Sequence, residues 1–132
     1  MDPDRFQDLV DEAVASLPAA LARRMENVDV VVAETPSART LREMGLGPGG
    51  TLLGLYRGVP QTRRTHAYGG VGPDQILIFR RPVLAAARAR ADEANGADLD
   101  EAVRDQVRRT VLHEIGHHFG LGEADLRRLD YG

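Results

Sequence analysis

The chain has 132 residues, 17 basic against 20 acidic, a net charge of −3 and no cysteine. That length fits a single domain, residues 1–132, able to bury roughly two-thirds of the surface its unfolded form exposes. The lack of cysteine excludes disulfides, thiolate zinc sites and thiol nucleophiles, so a metal here must be held by His, Asp or Glu.

In chain order, the opening "MDPDRFQDLVDEAV" has neither a basic leader nor an apolar core, so it does not read as a secretory signal. No run approaches the ~18 apolar residues that span a bilayer. The expectation is a cytoplasmic domain without a membrane partner. Phe6, Leu9, Val10, Ala13, Val14 and Leu17 recur at helical spacing, with Asp4 as the expected cap and Pro18 as the stop. A second short helix is expected from Ala19 to Met25. "VDVVVAE", from Val28, is β-branched and reads as a buried strand. Ser37 to Met44 reads as one helical excursion stopped by Gly45, and "GPGG" as a turn.

"TLLGLYRG", Thr51 to Gly58, reads as a second strand with Gly54 as a possible bulge. The Gly- and Pro-rich stretch "VPQTRRTHAYGGVGPD" is the longest candidate loop. "QILIF", Gln75 to Phe79, is a compact apolar strand. A helix then starts near Pro82, where proline suits the first turn, and Gly96 closes it. The last long helix is expected from Asp98, with Asp98 and Glu101 at capping-box spacing. Leu99, Val103, Val107, Val111 and Ile115 form its core-facing stripe, and Asp105 and Arg109 an exposed pair one turn apart. These elements predict an α+β domain.

All basic residues are arginines, scattered in doublets among acids, and this argues against a nucleic-acid partner. Arginine and alanine richness without lysine fits a GC-rich bacterial genome.

Three of the four histidines lie in "HEIGHHFGLGE", His113 to Glu123. On a helix, residues four apart differ by roughly 40° in direction and about 6 Å along the axis. His113 and His117 therefore project from one face and can both reach one tetrahedral ion. His113 lies roughly 160° around the axis from Val111 and Ile115, so the pair looks away from the core stripe. Glu114 is placed to lie beside an activated water as general base. A catalytic zinc takes three protein ligands and keeps one open position. Gly120 can reverse the chain at the helix end and fold Glu123 back toward the ion, with Asp125 as the alternative third ligand. Glu123 can also begin a last short helix. His118 reads as a surface residue near the pair, and His66 as a solvated loop residue. Tyr56, Tyr68 and Tyr131 are each candidates to stabilise an oxyanion. Gly116, inside the helix, suggests a closely approaching strand, for which "QILIF" is the candidate.

"VLHEIGHHFGLGEADL" resembles the small zincin-like bacterial metallopeptidases with the motif H-E-x-x-H-x-x-G-x-x-D, and also the first part of the metzincin motif. The likeness extends to "LLGLYRGVPQT" and "PDQILIFRRPVL". It implies a minimal zincin fold, a small mixed sheet packed with helices, with the active-site helix near the C-terminus. It further implies that His113, His117 and Glu123 bind zinc and that Glu114 is the base. The substrate implied is an extended peptide or protein laid along a sheet edge. Two departures stand out: the third ligand is a glutamate, and Met1, Met25 and Met44 all lie upstream, so there is no Met-turn. A metal-binding interaction module without hydrolytic activity is the alternative reading, and amide hydrolysis of a small molecule is a third.

Overall fold

The computed structural model describes residues 1–47, 50–58, 74–93 and 98–119. Among them are five helices: α1 (Pro3–Ala15), α2 (Ala19–Arg24), α3 (Ala38–Glu43), α4 (Arg80–Glu93) and α5 (Leu99–Phe119). The strands are β1 (Val28–Ala33), β2 (Gly54–Arg57) and β3 (Asp74–Phe79). They form one mixed sheet in the order β1-β3-β2, with β1 parallel and β2 antiparallel to the central β3. The domain is α+β, as the residue pattern predicts.

The ends of the helices follow local chemistry. α1 begins two residues earlier than expected: Asp2, not Asp4, is the cap, and its carboxylate accepts the Arg5 N–H at 2.8 Å. Pro3 then occupies the first helical position, where its missing N–H costs nothing. Ser37 caps α3 by accepting the Thr40 N–H at 3.0 Å. Gly45, at φ 75°, ends that excursion in the left-handed region that glycine tolerates. Asp98 caps α5 by accepting the Asp100 N–H at 2.9 Å.

The core lies between the sheet and a layer of helices. Phe6, Leu9 and Val10 of α1 meet Val103, Val107, Val111 and Ile115 of α5, with Val83 and Ala87 of α4. Ile76 and Ile78 of β3 point into this cluster, and Leu77 and Phe79 are buried outside it, as period-two alternation requires. Buried Val, Leu and Ile side chains contribute about 1.5–3 kcal/mol each. Polar contacts trim the edges of the helix layer: Arg104 of α5 donates to Glu12 of α1 at 2.7 Å, and Arg90 of α4 to Asp105 of α5 at 2.8 Å.

Two strand expectations need correction. β1 is half-buried rather than buried, because among the described residues it forms an edge of the sheet. Gly54 makes no bulge: it pairs in register with Ile78. The Gly50 N–H donates to the Gly47 carbonyl at 2.9 Å and closes the expected "GPGG" turn. Pro48 and Gly49, the long loop with His66 and Tyr68, Gly96, and everything from Gly120 onward, including Glu123, Asp125 and Tyr131, lie outside the described residues. No helix among the described residues is long and apolar enough to cross a membrane.

Candidate functional site

The site begins with a glycine. Gly54 lies on the helix-facing side of β2, opposite Ile78. A Cβ placed there would stand 2.6 Å from Thr110 Cγ2 and 2.9 Å from the Leu77 carbonyl oxygen. Only a residue without a side chain lets α5 settle this close to the strand. The strand that α5 lies against at the site is therefore β2, the edge strand among the described residues. "QILIF" occupies the sheet centre instead, where its nearly unbroken apolar run is buried on both faces. Gly116 is buried as well.

Close approach at Thr110 fixes the contact one turn further along. Glu114 follows Thr110 by four residues, and Tyr56 follows Gly54 by two. The helix advances about 6 Å over its step and the strand about 6.8 Å over its own. The two elements stay in register, and the Tyr56 N–H donates to Glu114 Oε2 at 3.2 Å. This N–H is available because Tyr56 turns its backbone groups away from β3. Leu53 faces β3, its carbonyl accepting the Phe79 N–H at 3.0 Å, and alternation then points Gly54 and Tyr56 outward.

Glu114 is half-buried, and that burial pushes its carboxyl above the usual carboxylate range. The Tyr56 N–H and the neighbouring His113 and His117 oppose the shift in part. A carboxyl raised in this way holds a proton more readily than a solvated one, as a group that takes and returns protons requires.

His113 and His117 are both exposed, with ring centroids 4.2 Å apart and planes inclined by 53°. They leave the helix on the side opposite Val111 and Ile115, which are fully buried. Two imidazoles on one face, open to solvent and flanked by a carboxylate, are a donor set that suits zinc. Among the described residues no third His, Asp or Glu completes a metal-binding group with them. Glu123, the expected third ligand, falls outside those residues.

Both histidines, with Glu114, line a cleft of about 470 Å³. Its other walls come from Met44, from Thr51 to Gly54, and from Gln106, Arg109 and Thr110 one or two turns earlier on α5. Sequence reasoning did not single out this part of the cleft. Arg109 did appear as half of a surface pair, and that pair is present, its Nε donating to Asp105 at 2.9 Å.

A family model described as zincin-like metallopeptidase matches residues 25–132. The chain belongs to the zincin-like metallopeptidase family. No curated protein matches the chain. Family membership makes zinc the implied cofactor and hydrolysis of peptides the implied general activity, and it agrees with the small mixed sheet backed by helices. In this zincin-like domain the matched segment starts at Met25, so α1 precedes it and supplies one wall of the core behind α5.

The remaining residues singled out from the sequence fall around the histidine pair. His118 stacks on the Tyr56 ring, with centroids 3.8 Å apart and planes within 10°. The Tyr56 hydroxyl donates to Asp74 Oδ2 at 2.8 Å, and Asp74 is itself buried. The phenol is thus committed to Asp74 at the strand end and does not line the cleft. Tyr56 matters through its backbone N–H, a contribution that no side-chain motif could signal. The signal that was present is Gly54, a glycine inside an otherwise apolar strand.

Proposed function

We propose that this protein is a zinc-dependent peptidase in which His113, His117 and Glu123 hold the ion and Glu114 is the general base. The observation that carries the reading is the placement of Glu114: its carboxylate lies in the cleft beside two exposed imidazoles and is anchored by the edge-strand N–H of Tyr56. Zinc bound there would polarise the scissile carbonyl and acidify the attacking water.

The chain's own groups do the rest. Glu114 takes the proton from the attacking water through Oε1, while the Tyr56 N–H holds Oε2. It then returns that proton to the leaving nitrogen as the C–N bond breaks. Anchoring matters because proton transfer needs the carboxylate within hydrogen-bond reach at the moment of reaction. The stack of His118 on Tyr56 fixes the strand end that supplies this anchor. An extended peptide is the fitting substrate, since among the described residues β2 is the sheet edge beside the cleft and can pair with another strand.

The test is a zinc-loading and cleavage assay on the parent and two variants. Glu114→Ala is expected to keep zinc and lose hydrolysis by about 10²–10⁴-fold. His113→Ala is expected to lose both. Equal peptide cleavage by Glu114→Ala and the parent contradicts the base assignment. Binding of a hydroxamate inhibitor checks separately that one zinc position is open, because a site closed by four protein ligands would refuse it.

A further inference from the structure

The cleft extends well past the catalytic trio, and its far end has a chemistry of its own. Met44 is 47% exposed there and, with Leu52 and Leu53, forms an apolar wall. Facing it on α5 are Gln106 and Arg109. Gln106 is 7% exposed, and among the described residues its side-chain amide makes a single hydrogen bond, Nε2 to Thr110 Oγ1 at 3.3 Å, leaving Oε1 without a donor. A buried amide oxygen in a cleft wall without a partner has a cost, which a ligand N–H can relieve.

Arg109 lies one turn before His113. Its Nε is bonded to Asp105, but the same Asp105 oxygen also accepts from Arg90 at 2.8 Å. One carboxylate between two guanidiniums leaves a net positive charge in the group. The terminal nitrogens of Arg109 donate to nothing among the described residues, and they form the planar fork that matches a carboxylate.

We infer that this end of the cleft selects substrates with an apolar side chain followed by a carboxylate, with Met44, Leu52 and Leu53 seating the first and Arg109 pairing with the second. Gln106 Oε1 accepts a backbone N–H between them. Chain direction sets the order. Gly54 lies by Thr110 and Tyr56 by Glu114, so β2 and α5 advance the same way along the cleft. A peptide paired antiparallel to β2 runs the opposite way and carries its C-terminal side toward Arg109. The carboxylate therefore belongs to a residue after the cleaved bond, either an acidic side chain or a chain end. This inference rests on the peptidase reading for its meaning, but its test does not require turnover.

The test is fluorescence anisotropy in chelator, with full-length protein and three labelled peptides sharing one leucine-containing core. One has glutamate after the leucine and an amidated end, one has glutamine there and an amidated end, and one is the glutamine peptide cut short to a free terminal carboxylate. The parent should bind the glutamate peptide or the free-ended peptide roughly two- to fivefold more tightly than the amidated glutamine peptide, the range expected for an exposed ion pair. Whichever of the two gains more identifies the source of the carboxylate. The preference should shrink as salt rises. Arg109→Gln should abolish it and Arg109→Glu should reverse it, each with an unchanged circular dichroism spectrum. Equal affinities in the parent, or a preference that survives Arg109→Glu, overturns the inference. If the preference behaves as described but the zinc-loaded protein cleaves none of the three, the peptidase reading fails and the carboxylate subsite stands.

Discussion

Along α5, the side that carries Val103, Val107, Val111 and Ile115 is fully buried, whereas the side that carries His113 and His117 is exposed and opens on the cleft. One helix thus serves two purposes. Its apolar side is held by packing against α1, α4 and β3, where each lost methylene is felt. Among the described residues its polar side is held by what the apolar side fixes and by three seams with β2: the contact of Thr110 with Gly54, the hydrogen bond from Tyr56 to Glu114 and the stack of His118 on Tyr56. Substitutions on the two sides should therefore separate stability from activity.

The largest effect is expected on the polar side, where Glu114→Ala removes about 10²–10⁴ in hydrolysis rate and leaves the unfolding midpoint in place. A midpoint falling in step with activity would erase the distinction between the two sides. Next comes the apolar side. Ile115→Ala should cost about 2–5 kcal/mol in denaturant unfolding, because its 0% exposed side chain leaves a cavity in the core.

Gly54 sharpens the comparison, since it joins the two sides. Gly54→Ala should cost about 1–3 kcal/mol by overpacking and also lower activity, because the strand that anchors Glu114 must move. Adding Thr110→Ser removes the Cγ2 that the new methyl would meet, so the double variant should recover part of both losses. Additive losses would show that the helix–strand contact is not the cause.

The smallest effect is far from the cleft, at Glu34 and Arg80, where two hydrogen bonds of 2.7 and 2.6 Å join the end of β1 to the start of α4. The Arg80 hydrogen bond holds the Glu34 carboxyl below its usual range. A lowered folded-state value stabilises above the unfolded value and is lost as pH falls through the folded one. Glu34→Gln should therefore be slightly less stable than the parent at neutral pH, with the gap closing in strong acid. A gap independent of pH would assign the effect to something other than this ion pair.

What the sequence revealed and what it hid differ by range. The stripe of α5, the cap at Asp98, the Ser37 start and the Gly45 stop are written in residues a few positions apart, and all appear in the structure. The outward direction of His113 and His117 followed from helix geometry alone. Strand neighbours did not follow, because pairing joins residues far apart in sequence. "QILIF" drew attention by its apolar density, yet that density suits the sheet centre, and the shorter, more polar β2 took the place beside the site. Gly54 was visible as an exception in a strand, but only the position of Thr110 shows that its role is contact rather than a bulge. Asp4 and Asp2 are equally good caps by type, and Pro3 between them decides for Asp2.

The central claim concerns the surroundings of one ion, and X-ray absorption at the zinc edge on the zinc-loaded protein tests it most directly. The account predicts two imidazole nitrogens at about 2.0–2.1 Å, one carboxylate oxygen at about 2.0–2.2 Å and one solvent oxygen, with the carboxylate contribution lost in Glu123→Ala. A spectrum with a third imidazole, or one that Glu123→Ala leaves unchanged, contradicts it.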